Sequence, residues 1–133
     1  MEYGSNNNNK KKRILLVDDE IDVNYTFETV LEDNGFMVDS FDNPGLALSD
    51  FKAGLYDLVL LDIKMPEMDG FKLYEKMRNI DNKFKICFLT ALSELKEYEA
   101  IIRRVCPKLD ERYIIKKPIE NEVLVRQLNQ ILL

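Results

Sequence analysis

Beyond its first dozen residues the chain switches repeatedly between short apolar runs and apolar stripes that return every three or four residues. The run ILLV over 14–17 predicts a first strand, which ends in Asp18-Asp19-Glu20. Val23, Phe27, Val30 and Leu31 then share one face of a helix that Asp22 is expected to cap and Gly35 to end. Residues 36–41 alternate as a second strand. Asn43-Pro44 reads as an N-cap followed by proline in the first turn, opening a helix marked by Leu46, Ala47 and Phe51, with Gly54 at its end. The unbroken apolar run 58–61 suits a third strand buried on both faces, and it leads directly into Asp62. Met65-Pro66 and Asp69-Gly70 break the chain before a helix over about 71–78, with Leu73, Tyr74 and Met77 facing inward. ICFL over 86–89 is the fourth strand and finishes at Thr90-Ala91. A long helix is predicted over 93–105, with Leu95, Tyr98, Ile102 and Val105 on one stripe and Pro107 beyond it. A fifth strand over 113–115 runs into Lys116-Lys117-Pro118, and a last helix carries Leu124, Leu128, Ile131 and Leu132.

Five strands alternating with five helices predict an α/β fold, a doubly wound parallel sheet. The length of 133 residues suits one domain over 13–133, with no second domain expected after the last helix. Residues 1–12 hold four consecutive asparagines and no apolar period, which predicts a disordered polar and basic tail. The net charge is −5, yet residues 1–13 carry +3, which leaves −8 for the remainder. So acidic a domain lacks the basic face that nucleic acid requires. No apolar run approaches a membrane span, and Cys87 and Cys106 are too few for a disulfide scaffold, so a cytoplasmic protein is expected. There is no histidine, which removes Ser-His and Cys-His nucleophile pairs and histidine-ligated zinc.

The chemistry gathers where the strands end. In a parallel sheet the carboxyl ends lie along one edge, where open α/β folds place their ligands. Asp18 and Asp19, Asp62, Thr90, and the Lys116-Lys117 pair all fall at that edge. Clustered carboxylates repel one another unless a cation joins them, and an all-oxygen set suits Mg²⁺. A lysine can pair with a phosphate, and a threonine can donate a hydrogen bond to a phosphoryl oxygen. A carboxylate beside a metal and a lysine is equipped to form an aspartyl phosphate.

In order and spacing, ILLVDDE, DIKMPEMDGF, FLTA and KKPI resemble the motifs of the response-regulator receiver domains of two-component signalling, over about 12–133. The resemblance implies a flavodoxin-like sheet of strand order 2-1-3-4-5. It implies that Asp62 is the phosphoacceptor, that Asp19 binds Mg²⁺ directly with Asp18 beside it, partly through water, and that the Lys64 backbone carbonyl is a further ligand. Thr90 would move to the phosphoryl group, Lys117 would pair with it, and the Lys117-Pro118 bond would be cis. The implied partners are a histidine kinase or histidine phosphotransfer protein, and a downstream protein docking on the helix over 93–105, the fifth strand and the last helix. Leu92, Ile101, Lys96, Glu97, Arg103 and Arg104 would contribute to that face, and a homodimer is left open.

Two departures from the family stand out. The segment between Thr90 and Lys117 is about a helical turn longer than usual and lacks the common Gly-Ala before strand five. The position of the family's aromatic switch, three residues before the lysine, is Ile114. A regular strand keeps it there, whereas a bulge at Lys116-Lys117 would bring Tyr113 to it; the regular strand is preferred. Three other functions compete. A haloacid-dehalogenase-type phosphohydrolase would have an aspartate two residues after its nucleophile, where this chain has Lys64. In a flavodoxin-type electron carrier the acids would repel the FMN phosphate. A pseudo-receiver, kept only as a binding surface, would not need all five site residues. The expected role is thus that of a phosphoacceptor and not of an enzyme.

Overall fold

The computed structural model describes residues 11–132, so that most of the tail expected over 1–12 lies outside the described residues. Five strands form one parallel sheet in the order β2-β1-β3-β4-β5. They are β1 (Arg13–Val17), β2 (Met37–Phe41), β3 (Leu58–Asp62), β4 (Lys85–Ala91) and β5 (Ile114–Lys117). The helices between and after them are α1 (Ile21–Asp33), α2 (Pro44–Asp50), α3 (Gly70–Ile80), α4 (Leu95–Val105) and α5 (Asn121–Leu132).

The period of two along each strand divides the core into two layers. Leu15, Val17, Val59, Leu61, Ile86 and Phe88 pack on one face with Ala47 of α2, Leu73 and Met77 of α3, and Ile102 of α4. Ile14, Leu16, Leu58, Leu60, Cys87, Leu89 and Ile115 pack on the other with Phe27 and Leu31 of α1 and Leu124, Leu128 and Ile131 of α5. All of β3 is buried, as its unalternating sequence predicts for the middle strand of a sheet covered on both sides.

Several boundaries move. The N-cap position of α1 is Glu20, and Asp22 lies inside the first turn, where its charge favours the helix dipole without capping it. Asn43 does cap α2, its side chain accepting from the Leu46 N–H, but Leu46 itself is exposed because it falls on the helix's outer face. That helix stops at Asp50; Phe51 is buried just beyond it, and Gly54 (φ 79°) serves a later turn. A 3₁₀ turn over Leu92–Glu94 precedes α4, whose α-helical part starts two residues later than the sequence suggests. Tyr113 belongs to another 3₁₀ turn, Glu111–Tyr113, so β5 begins at Ile114 and runs on to Lys117.

Strand β5 pairs with β4 residue for residue, Phe88 with Ile114 through Ala91 with Lys117, and no extra residue interrupts the ladder. The regular strand is therefore the observed one. Tyr113 and Ile115 pack toward α1 and α5, while Ile114 packs on the opposite face. The Lys117-Pro118 peptide is cis.

Candidate functional site

The end of β3 delivers Asp62, 4% exposed, to the floor of an open cleft of about 840 Å³. The chain can turn away so sharply because α3 starts on glycine. A β-carbon at Gly70 would overlap the Asp62 carbonyl oxygen and stand 2.9 Å from Ile63 Cα, closer than real side chains come. The Gly70 N–H closes the turn by donating to the Ile63 carbonyl at 2.7 Å, and Asp69 caps α3 by accepting from the Lys72 N–H.

β1 ends at Asp18, which is wholly buried, and Asp19, which lines the cleft. Carboxylate oxygens of Asp18, Asp19 and Asp62 lie within 4.8 Å of one another. Lys117 enters this group from β5. Its Nζ donates to Asp18 Oδ2 at 2.9 Å and Glu20 Oε1 at 3.1 Å, and stands 3.4 Å from Asp62 Oδ1. Strand parity explains the convergence. Asp18, Asp62 and Lys117 each follow by two a residue packed toward α1 and α5, namely Leu16, Leu60 and Ile115.

Thr90 falls on the other parity, two residues after Phe88. Its hydroxyl is buried and, among the described residues, hydrogen-bonds the Ala91 carbonyl, at 3.5 Å, and none of the three acids. Lys64 lies in the cleft wall with its ammonium paired to Glu94 at 3.0 Å.

The electrostatics follow from burial and crowding. Burial, then the nearby Asp18 charge, pushes the Asp62 carboxyl up to about 8, with Lys117 opposing and Asp19 adding to the rise. Burial also raises Asp18, offset in part by the Glu20 N–H and the Lys117 ammonium. Burial works against the charge on Lys117, but the Asp18 hydrogen bond and the surrounding carboxylates outweigh it and raise its pKa. Three hard oxygen ligands short of positive charge, with no nitrogen or sulfur donor among them, fit a divalent ion of the Mg²⁺ type.

Two residues here were not singled out from the sequence. Glu20 was visible only as one more acid after Asp19. Asn24 is buried on α1, where its amide donates to the Asp18 carbonyl at 2.6 Å and the Phe41 carbonyl at 3.1 Å, pinning the ends of β1 and β2 to the helix. Its one sequence signal is a polar residue in register with the inward-facing Phe27 and Leu31.

The family model for the response regulator receiver domain matches residues 14–129. Among curated proteins, the regulatory protein AtoC of Escherichia coli is 36% identical over 100 residues, covering 75% of this chain and 21% of AtoC. The response regulator receiver protein CpdR of Brucella abortus is 36% identical over 76 residues, or 57% of this chain and 63% of CpdR. Sporulation initiation phosphotransferase F of Bacillus subtilis is 33% identical over 79 residues, 59% of this chain and 64% of that protein. The chain thus spans less than two thirds of each of these relatives. A CheY-like receiver domain structure from Methanospirillum hungatei superposes with a TM-score of 0.79 at 27% identity, covering 92% of this chain and 94% of that one. With the sheet order, the strand-end acids and a family match across nearly the whole described chain, this protein belongs to the response regulator receiver domain family.

Proposed function

We propose that Asp62 is the phosphoacceptor of a two-component signalling step, taking a phosphoryl group from a histidine kinase or a histidine phosphotransfer protein. The observation that carries this reading is one buried carboxylate opening onto a cleft, with a lysine 3.4 Å away and two more acids beside it. An Asp62 oxygen attacks phosphorus, and the bond from phosphorus to the donor's imidazole nitrogen breaks, that nitrogen keeping the electron pair. Lys117 is placed to bond the phosphoryl oxygens as charge builds on them. Mg²⁺, held by Asp19, Asp62, the Lys64 backbone carbonyl and, through water, Asp18, would neutralise the acids and spread the phosphoryl charge. The chain acts as acceptor and does not turn over a substrate of its own. Its place of work is the cytoplasm, in keeping with two free, buried cysteines.

The phosphorylated state is read by a protein docking on α4, β5 and α5. Leu92 is 65% exposed at the head of α4, and Arg103 lines the β5 side of that helix, whereas Ile101 and Arg104 line a cleft against α3 instead.

The test is incubation with a small acyl phosphate and Mg²⁺, read by intact mass. Wild type gains one phosphoryl group, only when the divalent ion is present, and Asp62→Asn gains none. An unchanged mass in folded wild type rejects the reading, and equal labelling of Asp62→Asn moves the site elsewhere.

A further inference from the structure

Glu20 occupies the N-cap position of α1, yet its side chain caps nothing. Its carboxylate instead takes the ammonium of Lys117, 97 residues away, at 3.1 Å. An ammonium has three N–H donors. Lys117 hydrogen-bonds two carboxylates, Asp18 at 2.9 Å and Glu20 at 3.1 Å, and stands 3.4 Å from Asp62 without a hydrogen bond to it.

A phosphoryl group on Asp62 brings new oxygens, and a Lys117 drawn toward them, across a gap now 3.4 Å wide, strains the two hydrogen bonds that hold it back. Asp18 cannot withdraw: its side chain is 0% exposed, and its second oxygen accepts the Glu20 N–H at 2.9 Å. Asp62 carries the reacting group itself. The Glu20 side chain is 63% exposed, so its carboxylate can return to water with little loss. We infer that Glu20 is a positioning residue: it holds Lys117 in the unphosphorylated protein and is the partner that lets go when Asp62 is loaded. This inference rests on the phosphoacceptor reading of Asp62. A contact present before transfer and absent after it stabilises only the ground state, so weakening it speeds transfer.

A general effect of charge at the cleft mouth has to be separated from this hold. Asp22 lines the same cleft and carries the same charge, but makes no hydrogen bond or salt bridge to Lys117 among the described residues. The experiment therefore compares Glu20→Gln with Asp22→Asn in the full chain, using two readouts. In metal-free protein, acylation of Lys117 by an N-hydroxysuccinimide ester is followed by peptide mass mapping. Glu20→Gln should raise the Lys117 rate about two- to fivefold, the span expected for a partly exposed ion pair, and Asp22→Asn should leave it unchanged. With Mg²⁺ and a small acyl phosphate, Glu20→Gln should raise the maximal labelling rate by a similar factor without moving the half-saturating donor concentration. Equal effects of the two variants overturn the inference, since charge alone then explains them. So does an unmoved Lys117 acylation rate, or faster acylation without faster labelling. If wild type takes up no phosphate, it is the phosphoacceptor reading that fails, and the acylation comparison still decides whether Glu20 holds Lys117.

Discussion

Replacing Asp62 with asparagine should stabilise the metal-free protein, increasingly so as pH rises. The carboxyl is 4% exposed and sits among Asp18, Asp19 and a single lysine, which pushes its pKa from the ordinary 3.8 to about 8. A folded-state pKa above the unfolded one means that the fold prefers the neutral carboxyl. Its stabilising contribution is complete below about pH 4 and is lost as pH climbs toward 8. Every pH unit that separates the folded from the unfolded pKa is equivalent to about 1.4 kcal/mol, so the whole interval sets a ceiling of about 6 kcal/mol. Asp18 can take up part of the proton, and Lys117 can lean toward the newly charged oxygen, which brings the expected figure to about 2–3 kcal/mol. Asparagine keeps the shape of the neutral form and cannot ionise.

Urea denaturation in EDTA at pH 5, 6, 7 and 8 measures the effect. The two proteins should be close at pH 5, where most of the penalty is absent, and diverge steadily to pH 8. At pH 8 the midpoint of Asp62→Asn should lie about 0.7–3 M higher, from the expected 2–3 kcal/mol and an m-value of about 1–3 kcal/mol/M. The difference reports Asp62 together with the response of Asp18 and Lys117 to its charge. Mg²⁺ should narrow the gap at pH 8 by stabilising wild type more. A difference that stays constant with pH, or a wild type more stable than the variant at pH 8, would refute the reasoning.

Gly70→Ala should destabilise by at least about 2 kcal/mol in urea melts, because the new methyl overlaps the Asp62 backbone and the start of α3 must shift to admit it. The same movement should slow acyl-phosphate labelling of whatever protein remains folded. Asp19→Asn should weaken Mg²⁺ binding at least tenfold by calorimetric titration while leaving the circular dichroism spectrum unchanged, since Asp19 is only partly buried at the cleft rim. Tyr113→Phe should leave labelling and partner binding within twofold of wild type. Tyr113 packs with Ile115 toward α1 and α5, on the face opposite that of Phe88, the residue two before Thr90.

Much of this was legible in the sequence because sheet strands and strand-end chemistry leave local marks. The unalternating LVLL of β3 suits a strand covered on both faces, as it is, and a strand there carries the acid that follows it to the sheet edge. Helix starts were harder where the cap was not a side chain. Asp22 looked like a cap because aspartate so often is one, but the chain turns into α1 two residues earlier, at Glu20, whose own carboxylate is drawn to Lys117. Nothing near Glu20 in sequence announces a partner 97 residues away. Asn24 was hidden for the same reason, since the carbonyls it ties down belong to the ends of two different strands.

Strand parity also separates what the motifs had grouped together. Collected by strand end alone, Asp18, Asp62, Thr90 and Lys117 form one set. Counted by twos, they form two. Asp18, Asp62 and Lys117 continue the face packed against α1 and α5, and they meet within hydrogen-bond reach or just beyond it. Thr90 continues the opposite face, which Ile114 shares from the neighbouring strand, Phe88 being paired with Ile114 and Thr90 with Lys116. A rearrangement that carried the Thr90 hydroxyl to Asp62 would vacate space on the side of α4 and Ile114, not on the side of Tyr113. That side is lightly held: of the eleven residues in α4 only Ile102 is buried, and a cleft of about 210 Å³ separates the helix from β5, walled by Leu95, Ile102, Cys106 and Ile114 and by the charged Glu99, Arg103 and Lys116. An isoleucine cannot swing as an aromatic ring does, so such a movement at Thr90 would fall to α4 shifting over that cleft. A route from the acids through Thr90 to the proposed docking face would then run through the packing of a whole helix and not through the rotation of one side chain.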